Sequence, residues 1–198
     1  MRRRHFLALA ALGPMFGHWL SGAAHAASAF VRRADWGAKS PTKAMKKHTP
    51  QRITLHHTAA RQKLNTATAD KLRSLQRFSQ ASEKLADGRM KKAWADVPYH
   101  FYVTANGDIA EGRDPKFVGD TNTNYDPTGH VAIAIEGNFE VEQPTTAQIS
   151  ALTGLIQLLM ARYSIGANKV GLHGDYASTA CPGKAFRTLW PSLKAKLG

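Results

Sequence analysis

The spacing of apolar and polar positions changes period several times along the chain, and each change marks an element. Over 52–57 the two kinds alternate, with Ile53 and Leu55 on one side and Thr54 and His56 on the other. A period of two predicts a half-buried β-strand, and its parity turns His56 rather than His57 away from the core. Over 66–81 the period becomes helical: Leu72, Leu75 and Phe78 form one side, and Lys71, Arg73 and Arg77 are predicted outward. Residues 82–96 are polar and basic and read as a loop. The runs 99–104 and 109–112 flank Ala105-Asn106-Gly107-Asp108, and Asn-Gly suits the type I′ turn of a hairpin. Residues 131–136 are nearly all apolar, as in a central strand covered on both faces.

Further on, Thr145 and Gln148 have the spacing of a capping box. They precede a predicted helix with Ile149, Leu152, Ile156, Leu159 and Tyr163 on one face, ending near Gly166. Residues 169–172 read as a short strand leading into His173. Phe186, Leu189, Trp190, Leu193 and Leu197 predict a C-terminal helical segment, interrupted or restarted at Pro191. Residues 33–38 open the domain, and 39–51, rich in Lys, Thr and Pro, read as an extended loop. The 198 residues show no internal repeat and no second domain. The expected fold is α/β, a single domain with a mixed central β-sheet flanked by helices.

The N-terminus changes the picture of where this domain works. Arg2, Arg3 and Arg4 precede the apolar run 7–12, and Ala24-His25-Ala26 supplies a small-x-small cleavage pattern. Arg3-Arg4-x-Phe6-Leu7 resembles the twin-arginine export motif, which is read as an address. The expectation is a twin-arginine-type signal peptide over 1–26 and a mature domain over 27–198, periplasmic or secreted, monomeric and without a stable membrane anchor. The rival is a retained anchor, but Gly13, Pro14, Gly17 and His18 interrupt the apolar stretch.

Cys181 is the only cysteine, so no internal disulfide can form. A free thiol is a liability in an oxidising compartment, and a metal-bound thiolate is better protected. Twin-arginine export carries folded proteins, which would let such a centre assemble before export. Losing Arg2, Arg3 and Arg4 with the leader lowers the formal charge from +13 to +10. A strongly basic exported protein suits an anionic polymer such as cell-wall glycopeptide, although solubility explains the charge equally well. Nucleic acid is not expected, because export argues against it and no recognition helix or RNA-binding aromatic motif is present.

The candidate chemistry lies in three residues. His56 closes the 52–57 strand, and His173 and Cys181 lie eight positions apart near the C-terminus. Alone, Cys181 reads as a small buried hydrophobe and His173 as a capping or surface residue. Together, two imidazoles and a thiolate make a zinc-ligand set, and three protein ligands rather than four leave a position open to water, whose pKa falls to about 7 at such a site.

These residues sit within a longer series of motifs: 33–38, Leu55-His56-His57-Thr58, 94–101, 106–113, 133–139, His173, and Thr179-Ala180-Cys181-Pro182-Gly183. In that order they resemble the zinc-dependent N-acetylmuramoyl-L-alanine amidases of the type 2 superfamily, which includes amidase-type phage lysozymes and peptidoglycan recognition proteins. The resemblance covers nearly all of the mature chain. It implies His56, His173 and Cys181 as ligands of Zn2+, and Tyr99 as a catalytic residue beside the water. It also implies a catalytic role for Thr179, at a position where some members carry lysine and others threonine; a turn-stabilising hydroxyl explains Thr179 equally well.

Members that only bind peptidoglycan commonly lack the cysteine, so its presence implies an enzyme acting on peptidoglycan or muropeptides. The rivals are a non-catalytic peptidoglycan-binding module and a zinc hydrolase of another amide. His57 and His100 are expected beside the site or in the core rather than as ligands, and Trp36 and Trp94 as packing anchors. Glu136 is expected to be structural; some intracellular members place a catalytic glutamate where this chain has Ala134. Gly119-Asp120-Thr121 and His130 depart from the family pattern.

Overall fold

The computed structural model describes residues 29–85 and 88–198. The signal peptide expected over 1–26 lies outside the described residues. Among the described residues, eight strands and three helices follow one another: β1 (Phe30–Val31), β2 (Arg52–His57), α1 (Thr68–Gln80), β3 (Glu83–Lys84), β4 (Met90–Lys91), β5 (Phe101–Val103), β6 (Ile109–Glu111), β7 (His130–Ile135), α2 (Thr146–Tyr163), β8 (Val170–Leu172) and α3 (Lys184–Lys194). Single 3₁₀ turns at Ala167–Lys169 and His173–Asp175 bracket β8.

Six strands form one sheet in the order β1-β6-β5-β7-β2-β8, parallel throughout except for the β5–β6 hairpin. Aligned residues of parallel strands share a face, and the register therefore sorts the side chains. Ile53 aligns with Val131 and Val170, and Leu55 with Ile133 and Leu172. This face packs on Leu152, Leu155, Ile156 and Leu159 of α2 and on Phe186, Trp190 and Leu193 of α3. Each fully buried aliphatic side chain here contributes roughly 1.5–3 kcal/mol. The other face carries His56 in register with Ala134 and Tyr102, and there Leu72 of α1 packs with Trp36 and Ala110. The result is helix, sheet and helix in three layers, with the mixed sheet and flanking helices that the hydrophobic pattern predicts.

The capping box closes α2 as expected. Gln148 N donates to Thr145 Oγ1 at 3.0 Å, and Thr145 N donates to Gln148 Oε1 at 3.0 Å. Trp36 is a packing anchor, fully buried with Nε1 donating to Glu111 O at 2.7 Å. Among the described residues, no helix is long and apolar enough to cross a membrane.

Four local expectations change. Lys71 points inward and pairs with Glu136 at 2.8 Å, both side chains 3% exposed. Position 71 lies on the same helical stripe as Leu75 and Phe78, so the period was right and the residue type misled; a carboxylate waiting inside offsets the burial. The polar stretch 82–96 contains the β3–β4 hairpin, and Lys91 is buried. Its ammonium donates to Ser79 O and Ala81 O, the carbonyls at the C-terminal end of α1, and lies over the rings of Phe78 and Trp94.

The β5–β6 turn is not type I′, which needs positive φ at both central residues. Only Gly107 has it, at 88°, and Gly107 N donates to Thr104 O. Asn106 instead donates through its side chain to Leu64 O. Finally, α3 runs unbroken through Pro191, held on both sides by buried Trp190 and Leu193.

Candidate metal centre

The site forms where β2 and β8 end side by side. Thr54 aligns with Gly171, so the chain leaving β8 delivers His173 next to His56, with ring centroids 4.4 Å apart. The following loop returns Cys181, whose Sγ lies 3.9 Å from His56 Nδ1. One candidate ligand atom from each of the three residues lies within 4.8 Å of the others. Three residues spread over 126 positions of sequence thus meet at the carboxyl ends of parallel strands, where α/β sheets commonly place ligands.

The loop is held in shape by its own backbone and by α3. Gly174 N donates to Cys181 O at 3.1 Å, and the Arg187 guanidinium donates to Thr179 O at 2.9 Å and to Cys181 O at 2.8 Å. A Cβ on Gly174 would fall 2.0 Å from Arg187 Nη2, so no other residue fits without displacing that clamp. Gly183 has φ 96°, and a Cβ there would lie 2.6 Å from the Phe139 carbonyl carbon.

Around the candidate ligands the partners are specific. His173 Nε2 lies 2.7 Å from Thr123 Oγ1, which in turn lies 2.7 Å from Thr121 Oγ1, so Nδ1 is the nitrogen left for a metal. The His57 backbone N–H donates to Cys181 Sγ at 3.4 Å. His56 Nε2 is buried with no hydrogen-bond partner, and Nδ1 faces only the sulfur.

Burial, with His173 and other imidazoles nearby, holds the His56 pKa well below the usual imidazole value, and burial lowers that of His173 to about 4. Burial likewise pushes the Cys181 thiol up to about 12. Two neutral imidazoles, one without a full-strength partner, and a thiol that needs a cation to ionise are the donor set zinc takes. The residues present fit the metal.

Tyr99 stands beside this group, its ring 5.2 Å from that of His56, and burial raises its pKa so that the hydroxyl keeps its proton. Thr179 lines the cleft, and its Oγ1 accepts from Cys181 N at 3.2 Å, which steadies the turn that carries the thiol. The cleft has a volume of about 280 Å³ and is walled by Trp94, Asp120, Thr121 and Asn122 as well as by His56, His173, Cys181, Tyr99 and Thr179. Trp94 is half-buried, with the Lys91 ammonium over its ring and the residue in the wall of the cleft.

The other candidates have structural work. His57 Nδ1 accepts from Phe139 N, and His100 Nδ1 accepts from Ala132 N at 2.8 Å. His130 Nδ1 lies 2.6 Å from Thr54 Oγ1. Glu136 accepts from Lys71, Lys63 N and Ala105 N. Sequence reasoning missed Thr123, Arg187 and Tyr125, whose ring lies 5.3 Å from that of His173. None belongs to a spacing motif; each acts through a contact that only the fold creates.

Thr123→Val keeps the side-chain shape and removes the hydroxyl on His173. Zinc affinity, measured by competition with a chromogenic chelator, should fall about 10–100-fold. An unchanged affinity would make Thr123 a bystander.

Known proteins share this arrangement of chain. The profile of the N-acetylmuramoyl-L-alanine amidase family matches residues 46–184, a span that contains all three candidate ligands, Tyr99 and Thr179. Peptidoglycan-recognition protein SD of Drosophila simulans is 30% identical over 179 residues, covering 84% of this chain and 88% of that protein. The crystal structure of Drosophila peptidoglycan recognition protein SD superposes with a TM-score of 0.71 at 28% identity, over 82% of this chain and 93% of that one. The N-acetylmuramoyl-L-alanine amidase LysC from Clostridium intestinale gives 0.63 at 27% identity, over 85% and 96%.

Proposed function

Because this chain belongs to the type 2 N-acetylmuramoyl-L-alanine amidase superfamily, we propose that it is an exported, zinc-dependent peptidoglycan hydrolase. It cuts the amide between N-acetylmuramic acid and the L-alanine of the stem peptide. The relatives include proteins named for recognition and proteins named as amidases, so family membership does not choose between the two activities. The observation that carries the choice is the complete donor set, His56, His173 and Cys181, at the floor of a cleft beside Tyr99.

Held by those three residues, zinc would supply a Lewis acid that polarises the scissile carbonyl and activates water. The remaining work falls to the chain. Hydrolysis adds water across the C–N bond: the carbonyl carbon gains a hydroxyl, and the alanine nitrogen leaves with a proton. The Tyr99 hydroxyl donates to the oxygen on which negative charge develops. Thr123 and the His57 N–H hold the ligands in orientation, and Thr179 with Arg187 holds the Cys181 turn. Asp120 also lines the cleft, with its carboxylate engaged by the Arg113 guanidinium.

The reading is tested on purified peptidoglycan by labelling new amino termini. N-terminal alanine should be released, abolished by a strong chelator and restored by zinc. Tight binding with no new amino terminus would instead establish the recognition reading.

Export is part of the same proposal, with the twin-arginine leader over 1–26 removed. N-terminal sequencing of the exported protein should begin at or near Ala27, and Arg3→Lys with Arg4→Lys should keep the protein inside the cell. A product that still starts at Met1 and sits in the membrane would refute the cleaved leader.

A further inference from the structure

A second cavity, of about 370 Å³, opens beside the metal cleft. The two share Thr58; Ala59 lines the first and Ala60 the second. Ala59 has φ 56°, a left-handed conformation that costs a residue with a Cβ and persists only where its surroundings impose it. Here they do. Thr58 Oγ1 accepts from Gly137 N at 3.0 Å, Gln62 N donates to Glu142 at 3.0 Å, and Lys63 N donates to Glu136 at 3.0 Å. The backbone of 58–63 is thereby fixed on the sheet, and it presents Arg61 and Lys63 at the mouth of the second cavity.

The charges at this cavity do not balance. Lys71 and Glu136 on its inner wall cancel each other in a buried pair. Arg61 and Lys63 are exposed, and among the described residues neither has an ion-pair partner. The floor is apolar, formed by Leu75, Phe78 and Tyr102. Two uncompensated cations over an apolar floor match a ligand with an aliphatic body and an anionic group. A neutral N-acetyl sugar offers the cations only uncharged acceptors, which leaves their charge uncompensated. A carboxylate offers charge-assisted hydrogen bonds to both.

We propose that this cavity is a subsite for the acidic residue that follows L-alanine in the stem peptide, with Arg61 and Lys63 binding its α-carboxylate. The proposal rests on the amidase reading, because it places the scissile amide in the adjoining cleft. It makes Arg61 and Lys63 specificity-determining residues: walls in which that carboxylate is capped as a carboxamide should be poorer ligands.

The test uses calorimetry on zinc-loaded Tyr99→Phe, in which slow turnover leaves the ligand intact. The probes are N-acetylmuramoyl-L-alanyl-D-glutamate and the same molecule with its α-carboxylate converted to carboxamide. The acid should bind about fivefold more tightly than the amide, a partly solvent-screened charge contact. Adding Arg61→Gln and Lys63→Gln should erase that preference and leave the affinity for the carboxamide unchanged. The thermal midpoint should hold, since both side chains are exposed. Equal affinities in the Tyr99→Phe parent, or a preference that survives the double substitution, would overturn the subsite while leaving the amidase reading intact. Failure of both probes to bind would overturn the two together.

Discussion

Cys181→Ala should lose both zinc and hydrolysis, the largest effect expected from any single substitution in this chain. The sulfur is the only anionic donor in the set, and without it His56 and His173 would hold the metal alone. Loss of an outer partner of a metal ligand typically costs 10–100-fold in affinity; loss of a ligand should exceed that, and turnover should disappear with the metal. The sulfur also sets a pH dependence. With the thiol at about 12 and His173 at about 4, zinc entry near neutral pH must release one proton, from Cys181 and not from the imidazoles. Apparent zinc affinity should therefore rise about tenfold per pH unit between about pH 6 and 9. A flat profile would mean that the thiolate forms without the metal. His56→Ala should also lose zinc, because His57 already accepts from Phe139 N and cannot turn to replace it. Full zinc occupancy in that variant would transfer the ligand role to His57.

Tyr99→Phe should separate the metal from the chemistry. The ring and its packing beside His56 remain, and the three donors are untouched. What goes is a hydroxyl that burial keeps protonated and therefore able to donate. Removal of one donor to a developing oxyanion typically lowers turnover by about 10²–10³-fold. Zinc content and thermal midpoint should stay near those of the parent, with KM little changed. Near-normal turnover with full zinc would reduce Tyr99 to a packing residue. Thr179→Ala should have a smaller effect, since its hydroxyl already accepts from Cys181 N and is only partly available to the substrate.

The parts of this account that were legible in the sequence are those with a period or a spacing. Alternation over 52–57 places Ile53 and Leu55 in the core and turns His56 toward His173 and Cys181. The Thr145–Gln148 spacing forms the capping box of α2. Residue type misled where a buried partner was out of sight: Lys71 looked like a solvent residue because Glu136, 65 positions away, could not be seen waiting for it. Lys91 likewise looked like loop charge until α1 presented its terminal carbonyls to it. The Asn106-Gly107 pair suggested the wrong turn because the Asn106 side chain is engaged by Leu64 O, a long-range contact that turn statistics do not contain.

At the site, the three candidate donors and Tyr99 lie in sequence motifs. Their support does not. Thr123 lies 50 positions from His173 and Arg187 six positions from Cys181, on a loop and a helix with no motif of their own. The cavity under Arg61 depends on a backbone conformation at Ala59 that no sequence pattern encodes.

Mass spectrometry of a purified muropeptide after incubation with the mature, zinc-loaded protein identifies the bond that is cut. The expected products are the free N-acetylmuramic acid-containing sugar and an intact stem peptide beginning with L-alanine, with a gain of one water between them and no products after chelation. Cleavage between two residues of the peptide, or an unchanged muropeptide with zinc in place, would contradict it.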